Sequence, residues 1–337
     1  MLARIFRYFI STILVFGLVC ITVAPAGSNP PTNHSALGVP IDFDPEGLTS
    51  RGIYDFITAA NEGRSIGEMV LDIEEAPQRA YDVLEYAVFT AAYAIRPQDG
   101  EISALRKVDA ILFEHMGFLR GLPGTTFSDG LMSGVLDCSD ATLIFISVAE
   151  RAGRDWSAVL APFHMFVVAR DGGGYIFWET QAGGTFDVRD MIAFHGLRQE
   201  LVDAGVYLNE MTIRHHVAEA YRNIGGNLVR EGNTDKAMGY LDKSEWLWPT
   251  HPPTLIWRGY AHTLAGEYSE AEIDYRSALN IDPYDWVTYY HLAALLNETG
   301  RESEATRYAE LSEQYRPANA QWVLDEALPY LSDKESR

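Results

Sequence analysis

The most continuous apolar segment outside the N-terminus begins at Cys138 and ends at Gly153. It is apolar on nearly every side, a pattern typical of a helix at the centre of a domain. Asp137 stands where a side-chain oxygen caps a helix, and Asp140 adds negative charge to the first turn. Gly153 suits the end of a helix. The pattern therefore predicts a buried central helix that starts at Cys138.

Two runs rich in β-branched and aromatic residues follow, at 162–170 and 175–180. The sequence between them is Asp171-Gly172-Gly173-Gly174. An Asp-Gly pair between two such runs is a strong signal for a hairpin. The sequence therefore predicts two antiparallel strands joined by a tight turn.

The position of this turn decides which residues face each other. A turn at Asp171-Gly172 places His164 opposite Glu179, close enough for a hydrogen bond. This is the register that we predict. A turn at Gly172-Gly173 would place His164 opposite Gln181, a neutral partner.

Upstream of Cys138 the apolar spacing is helical. It predicts a short helix near 48–57, a helical region at 66–95 interrupted at Pro77, and a helix at 102–116. Residues 117–134 are rich in glycine and are interpreted as a loop. Residues 187–195 are expected to form a small helix at the end of the core.

From about residue 206 the chain becomes repetitive, with a period of 34 residues. This period and the position of the small residues resemble tetratricopeptide repeats. We expect repeats at 218–251, 252–285 and 286–319, followed by a capping helix at 320–331. The aligned positions are Gly225, Gly259 and Ala293; Gly232, Gly266 and Gly300; Ala237, Ala271 and Ala305; and Pro249, Pro283 and Pro317.

Arrays of this kind bind peptides or proteins along their concave side. The residues expected to face such a protein-binding groove are Arg222, Tyr260, Tyr290 and Asn297. In the alternative interpretation, the three repeats only brace the preceding domain.

The N-terminus has Arg4 and Arg7, an apolar run and then Ala24-Pro25-Ala26. This order predicts a secretory signal at 1–26, followed by a linker at 27–45. An uncleaved segment would instead act as a membrane anchor. Cleavage after residue 26 would leave Cys138 as the single cysteine of an exported protein, which favours a buried or a reactive thiol.

Composition limits the other function classes. The chain has 337 residues, 47% of them hydrophobic, so more than one domain is expected. Its net charge of −21 argues against nucleic acid as a partner. We expect no metal, because the histidines lack ligand spacing, and no cofactor, because phosphate and dinucleotide motifs are missing.

Cys138, His164 and Glu179 together suggest a thiol nucleophile. A cysteine at a helix N-terminus lies among unpaired backbone amides, which favour the thiolate. A histidine paired with an acid supplies the base. Otherwise Cys138 would be a small core residue, the more common fate of a lone cysteine.

In these features the chain resembles the transglutaminase-like superfamily of the papain-like cysteine enzymes. The matching parts are the cysteine that opens a buried helix, His164 at the start of a strand, and Glu179 at the end of the next, where the superfamily usually has Asp. The segment from Leu105 to Phe113, followed by Gly117-Phe118, resembles the bacterial branch in which this core precedes tetratricopeptide repeats.

The resemblance implies an α+β core at 46–205, followed by an all-α superhelix of repeats at 206–337. It also implies that Cys138 is the nucleophile, His164 the base and Glu179 the orienting acid. Two functions remain open. One is an exported protease, amidase or transglutaminase acting on a peptide or protein, and the other is a non-catalytic interaction protein with a degenerate core.

Overall fold

The computed structural model describes residues 63–121 and 126–317. All of them belong to one compact unit, Glu46–Arg337. The predicted signal, linker and first short helix, together with the capping helix at 320–331, lie outside the described residues. Within the described ranges, no helix is both long and apolar enough to cross a membrane.

The helical region predicted at 66–95 is two helices, α1 (Ile66–Ile73) and α2 (Gln78–Ala94). Pro77 precedes α2, because proline cannot continue the hydrogen bonding of α1. The next helix, α3 (Glu101–Asp109), continues as a π-helical segment, Ala110–His115. The interruption at Pro77 and the helix predicted at 102–116 are confirmed.

The stretch interpreted as a loop at 117–134 contains regular structure, so that interpretation was wrong. It forms β1 (Leu119–Arg120) and α4 (Phe127–Ser133), and the parallel partner of β1 is β2 (Val135–Leu136). Thr126 caps α4 by accepting a hydrogen bond from the Asp129 amide. A seven-residue helix is too short to produce a clear apolar period in the sequence.

The predicted central helix is α5 (Cys138–Ala152), and its bounds and caps are as expected. The Asp137 side chain caps the first turn, and Gly153 ends the helix in the left-handed conformation. Residues from Asp140 to Ala149 are all buried. The helix packs on α1, α2 and the sheet that follows, so it lies at the centre of the core.

That sheet has four antiparallel strands in the order of the chain. The strands are β3 (Trp156–Ala161), β4 (His164–Asp171), β5 (Gly174–Glu179) and β6 (Gly184–Phe186). The small helix predicted after the sheet is α6 (Val188–His195), and α7 (Gln199–Asp203) follows it.

The hairpin formed by β4 and β5 has the second of the two possible registers. Asp171 pairs with Gly174, so the turn is Gly172-Gly173 and not Asp171-Gly172. Both glycines have positive φ, at 56° and 93°. Two glycines suit a turn in which both central residues are left-handed.

Three helical hairpins make up the rest of the described chain. They are α8 (Ile213–Arg230) with α9 (Thr234–Leu247), α10 (Pro252–Ala265) with α11 (Tyr268–Ile281), and α12 (Trp286–Glu298) with α13 (Glu302–Tyr315). The helical-repeat part of the chain is therefore as predicted, although its first helix begins at residue 213.

The small residues of the repeat allow the paired helices to approach closely. A Cβ atom added to Gly225 would lie 2.7 Å from Leu241 Cγ, and one added to Gly259 would lie 2.7 Å from Tyr275 Cε1. Gly266 separates α10 from α11 with a φ of 78°. These positions explain the 34-residue spacing of glycine.

The repeat array is attached to the core through its first helix and through the connection between its second and third repeats. The first helix of the array, α8, packs on α1. In the connection between the second and third repeats, the Tyr207 hydroxyl donates to Asp282 Oδ2 at 3.0 Å, and the Tyr284 hydroxyl donates to Glu200 Oε1 at 3.0 Å. Tyr207 and Glu200 belong to the core, so the array is attached at its first repeat and again between its second and third.

Candidate active site

Cys138 is half-buried at the first position of α5. The carboxylate of the neighbouring Asp137 is directed into the helix cap, where its Oδ1 accepts from the Asp140 amide at 2.8 Å and from the Ser139 hydroxyl at 2.7 Å. These two hydrogen bonds tie the carboxylate to the backbone next to the cysteine. They fix the first turn on which Cys138 stands.

His164 and Glu179 meet at the other wall of the site. His164 Nε2 lies 2.6 Å from Glu179 Oε2, and both side chains are mostly buried, with 13% and 16% exposed. The pair forms although the predicted register was wrong. In the observed register Glu179 is the diagonal neighbour of His164 on one face, and diagonal neighbours remain within reach of long side chains.

Gln181, the alternative partner, points elsewhere. Its side-chain Nε2 donates to the Leu136 carbonyl at 3.2 Å, and its backbone N–H donates to Glu179 Oε1 at 2.9 Å. The strand β5 has ended before Gln181, so the chain turns away from β4 there. Gln181 therefore hydrogen-bonds the Glu179 carboxylate, and Glu179 is the residue that contacts His164.

His164 and Cys138 line the same cavity, and the charge of the Cys138 sulfur acts on the imidazole together with that of Glu179. Because Nε2 contacts Glu179, Nδ1 is the nitrogen left for the sulfur. Burial disfavours the charged imidazole, but the negative charges of Glu179 and Cys138 outweigh it and raise the pKa of His164 well above its ordinary value. The arrangement therefore stabilises an imidazolium beside the Glu179 carboxylate.

The same contacts act on Glu179. Burial alone would raise the pKa of Glu179, but the charge and hydrogen bond of His164, with the Gln181 amide, hold it below its usual value. Glu179 is therefore ionised at neutral pH. An ionised acid on a buried histidine fixes the ring and stabilises its cation.

His195, at the end of α6, was not singled out in the sequence. Its ring stacks on that of His164, and burial together with the charge of His164 lowers the pKa of His195 to about 3. Its imidazole also hydrogen-bonds the Pro162 carbonyl. No sequence signal marks it, since it lies 31 residues after His164 on another element.

Two more acids line the site. Burial raises the pKa of Asp140 well above its ordinary value and that of Glu74 to about 7. The Glu74 oxygens accept from the Phe127 and Ser128 amides at 2.9 and 2.8 Å. Glycine at position 130 leaves room for the Asp140 carboxylate, since a Cβ on Gly130 would lie 2.2 Å from Asp140 Oδ2. The sequence identified Asp140 only as a first-turn charge and did not identify Glu74.

A cavity of about 190 Å³ lies over these residues. One wall belongs to the core and includes Cys138 and His164, and the opposite wall belongs to the first two repeats and includes Arg222, Asn223 and Trp257. The thiol and the imidazole therefore share a cleft with polar side chains of α8.

The structure divides the four residues predicted for the repeat groove. Arg222 lines the cleft and is paired with the buried Glu219. Tyr260 and Tyr290 both pack against His291 and do not line the cleft. Asn297 is exposed near the end of α12. The structure thus brings Arg222 to the candidate active site and leaves the other three apart from it.

No family model matches the chain, and no curated protein matches it either. Two solved structures of MamA share 20% and 18% identity, each with a TM-score of 0.29. The first covers 31% of this chain and 61% of MamA, and the second 40% and 70%.

The crystal structure of menin is more similar over a longer stretch. It has a TM-score of 0.54 at 13% identity and covers 85% of this chain and 78% of that one. That structure is described as revealing menin's binding site for the Mixed Lineage Leukemia protein. At this identity the similarity is one of fold.

Proposed function

We propose that the chain is an exported thiol enzyme that acts on peptide or side-chain amide bonds. Cys138 is the nucleophile, His164 the general base and Glu179 the orienting acid, as in the transglutaminase-like enzymes with a papain-like core that the sequence resembles. One observation carries the proposal. His164 lies 2.6 Å from Glu179 and lines the same cleft as Cys138.

In the first half of the reaction, the Cys138 thiolate attacks the carbonyl carbon of the amide, and a carbon–sulfur bond forms. The oxygen gains negative charge close to the first turn of α5, where backbone amides have no intrahelical acceptor. The imidazolium of His164 then donates its proton to the amide nitrogen. The carbon–nitrogen bond breaks, the amine leaves, and the acyl group remains on sulfur as a thioester.

In the second half, water or a second amine attacks the thioester carbonyl, and His164 accepts its proton. The carbon–sulfur bond breaks and the Cys138 thiolate returns. Water gives a protease or amidase, and an amine gives a transglutaminase. Glu179 stays ionised throughout and stabilises the imidazolium, a role that the lowered pKa of its carboxyl supports.

The repeats, which we assign to the tetratricopeptide type, serve to hold the substrate. The cleft that contains Cys138 has α8 as its second wall, so a peptide or protein segment that reaches the thiol also touches the first repeat. Arg222 and Asn223 are the polar groups on that wall. Export by residues 1–26 would leave Cys138 as the single thiol of the working protein.

Alkylation of the full chain by iodoacetamide between pH 5 and 9 tests the proposal. A thiolate paired with His164 should react well below pH 8, and His164→Ala should slow the reaction at pH 6 by about ten-fold or more. Cys138→Ala should remove all labelling of the processed chain. A Cys138 that reacts only after unfolding in urea would contradict the enzyme assignment.

The second candidate is an interaction protein without catalysis. The observation that favours it is the fold similarity to menin, whose structure is described by its binding site for another protein. The same alkylation experiment separates the two. A scaffold would keep Cys138 inert at every pH at which the chain is folded, and His164→Ala would have no effect on it.

A further inference from the structure

Phe163 has an unusual backbone for its residue type. It is the second residue of the two-residue turn between β3 and β4, a turn closed by the pair Ala161 and His164. Its φ is 58°, in the left-handed region. Bulky side chains are rare there, and glycine or asparagine is usual after a proline in such a turn. Contacts outside the turn must therefore stabilise Phe163.

Those contacts come from the repeat array. The ring of Phe163 packs against a hydrophobic cluster of the second and third repeats, here named the array cluster. Its members are Leu255, Ile256, Ala278, Trp286 and Val287. Phe163 is thus a half-buried residue of the core whose side chain packs against the array.

The turn that carries Phe163 also carries the base of the candidate triad. His164 is the next residue, and Pro162, the residue before, accepts a hydrogen bond from the His195 imidazole. His195 in turn stacks on His164. The consecutive residues Pro162, Phe163 and His164 therefore connect His195, the array cluster and the candidate active site.

We propose that Phe163 is a positioning residue through which the repeat array fixes His164 against Cys138 and Glu179. The inference rests on the proposed function, because it assigns a role in the same triad. Packing of the Phe163 ring against the array cluster offsets the unfavourable backbone of the turn. Without that contact, the turn relaxes and His164 leaves its place between the thiol and the carboxylate.

The variants Phe163→Gly and Phe163→Leu in the full chain separate the ring from the backbone. Glycine suits the positive φ but has no ring, whereas leucine keeps both an apolar side chain and the strain. Phe163→Gly should slow the alkylation of Cys138 at pH 6 by about ten-fold and change it less than about two-fold at pH 9, where any exposed thiol ionises. Phe163→Leu should stay within about two-fold of the unmodified chain at both pH values.

The opposite side of the contact gives an independent test. Trp286→Ala opens the array cluster without changing any residue of the core. It should lower the rate of Cys138 alkylation at pH 6 as Phe163→Gly does. Leu296→Val is the matched control, because Leu296 belongs to another cluster of the array, away from Phe163. If Phe163→Gly reacts like the unmodified chain at pH 6, the positioning role is overturned.

Nuclear magnetic resonance of labelled histidine tests the role without relying on the thiol. With its signal assigned by His164→Gln, the pKa of His164 should fall towards its ordinary value in Phe163→Gly. An unreactive Cys138 with this shift would overturn the proposed function but support the positioning role. A reactive Cys138 with no shift in Phe163→Gly would do the reverse.

Discussion

The rings of His164 and His195 are stacked, with their centroids 5.5 Å apart and their planes at 16°. Two imidazolium cations would repel each other at this distance. The charge resides on His164, because the pKa of His164 is raised well above its ordinary value while that of His195 is lowered to about 3. His195 is therefore a neutral surface against which a charged ring rests.

If His195 stays neutral, replacing it with a ring that cannot titrate should leave the pH profile intact. For His195→Phe we expect the midpoint of Cys138 alkylation to move by less than about 0.3 pH units, although the rate itself falls with the loss of the Pro162 hydrogen bond. His195→Asn keeps a donor but no ring and serves as the comparison. A large shift of the midpoint in His195→Phe would show that His195 carries charge.

The hydrogen bonds at the hairpin predict the order of damage at two neighbouring positions. Glu179→Gln should lower alkylation at pH 6 by about ten-fold, because an amide orients His164 but does not stabilise its cation. Gln181→Ala should cost less, since Gln181 contacts Leu136 and Glu179 and not His164. Rate constants measured at pH 6 and 9 compare the two, and the reverse order would contradict the contact between His164 and Glu179.

The fully buried His251 should make part of the stability depend on pH. Burial lowers the pKa of His251 to about 4, so between pH 6.5 and 4 the unfolded chain binds a proton that the folded chain does not. This contribution is favourable at neutral pH and is lost as the pH falls, with a slope of up to about 1.4 kcal/mol per unit.

The variant His251→Gln removes that proton. The unmodified chain loses stability through His251 as the pH falls, and the variant does not. The difference in the free energy of unfolding between the two should therefore become smaller as the pH is lowered from 7 to 4.5. Urea unfolding at several pH values measures the difference, and Thr254→Val, which removes a hydrogen-bond partner of His251 without a titrating group, is the control. A difference that is constant across the range would contradict the buried neutral state.

Two glycines of the array should respond to alanine with opposite signs. Gly259→Ala places a Cβ 2.7 Å from the Tyr275 ring and should destabilise the chain by about 1–3 kcal/mol. Gly239 lies on an exposed side of α9 with nothing within 4 Å, so Gly239→Ala should stabilise by up to about 1 kcal/mol. Thermal unfolding of both variants checks this, and equal effects would mean that helix propensity alone decides.

Local signals predicted much of the fold. Asp137 and Gly153 mark the ends of α5, because each helix terminus needs particular chemistry for its unpaired backbone groups. The repeats could be predicted because close approach of helices requires small residues at a fixed interval. The hairpin register could not, since the turn offers three consecutive glycines and an aspartate, and two placements satisfy the same backbone requirement.

The sequence predicted only those residues of the candidate site whose position on their own helix or strand is recognisable. Cys138, His164 and Glu179 carry recognisable positions on a helix and on two strands. Glu74 comes to the cleft, and His195 to the ring of His164, through tertiary packing that nothing near them in the sequence indicates. Arg222 was predicted to face a groove of the repeats, but not to lie opposite Cys138. Phe163 also gave no signal, because its backbone depends on a cluster about 90–125 residues further along the chain.

The two attachments of the array to the core set the number of repeats between them. The first is the packing of α8 on α1, and the second is the hydrogen bond from Tyr207 to Asp282. A repeat protein that is free at one end can gain or lose units by duplication without disturbing the rest. Here an added or deleted unit of 34 residues between the attachments would carry Asp282 away from Tyr207. The distance between the two attachment points on the core therefore fixes how many repeats lie between them, and further repeats can be added only after Asp282.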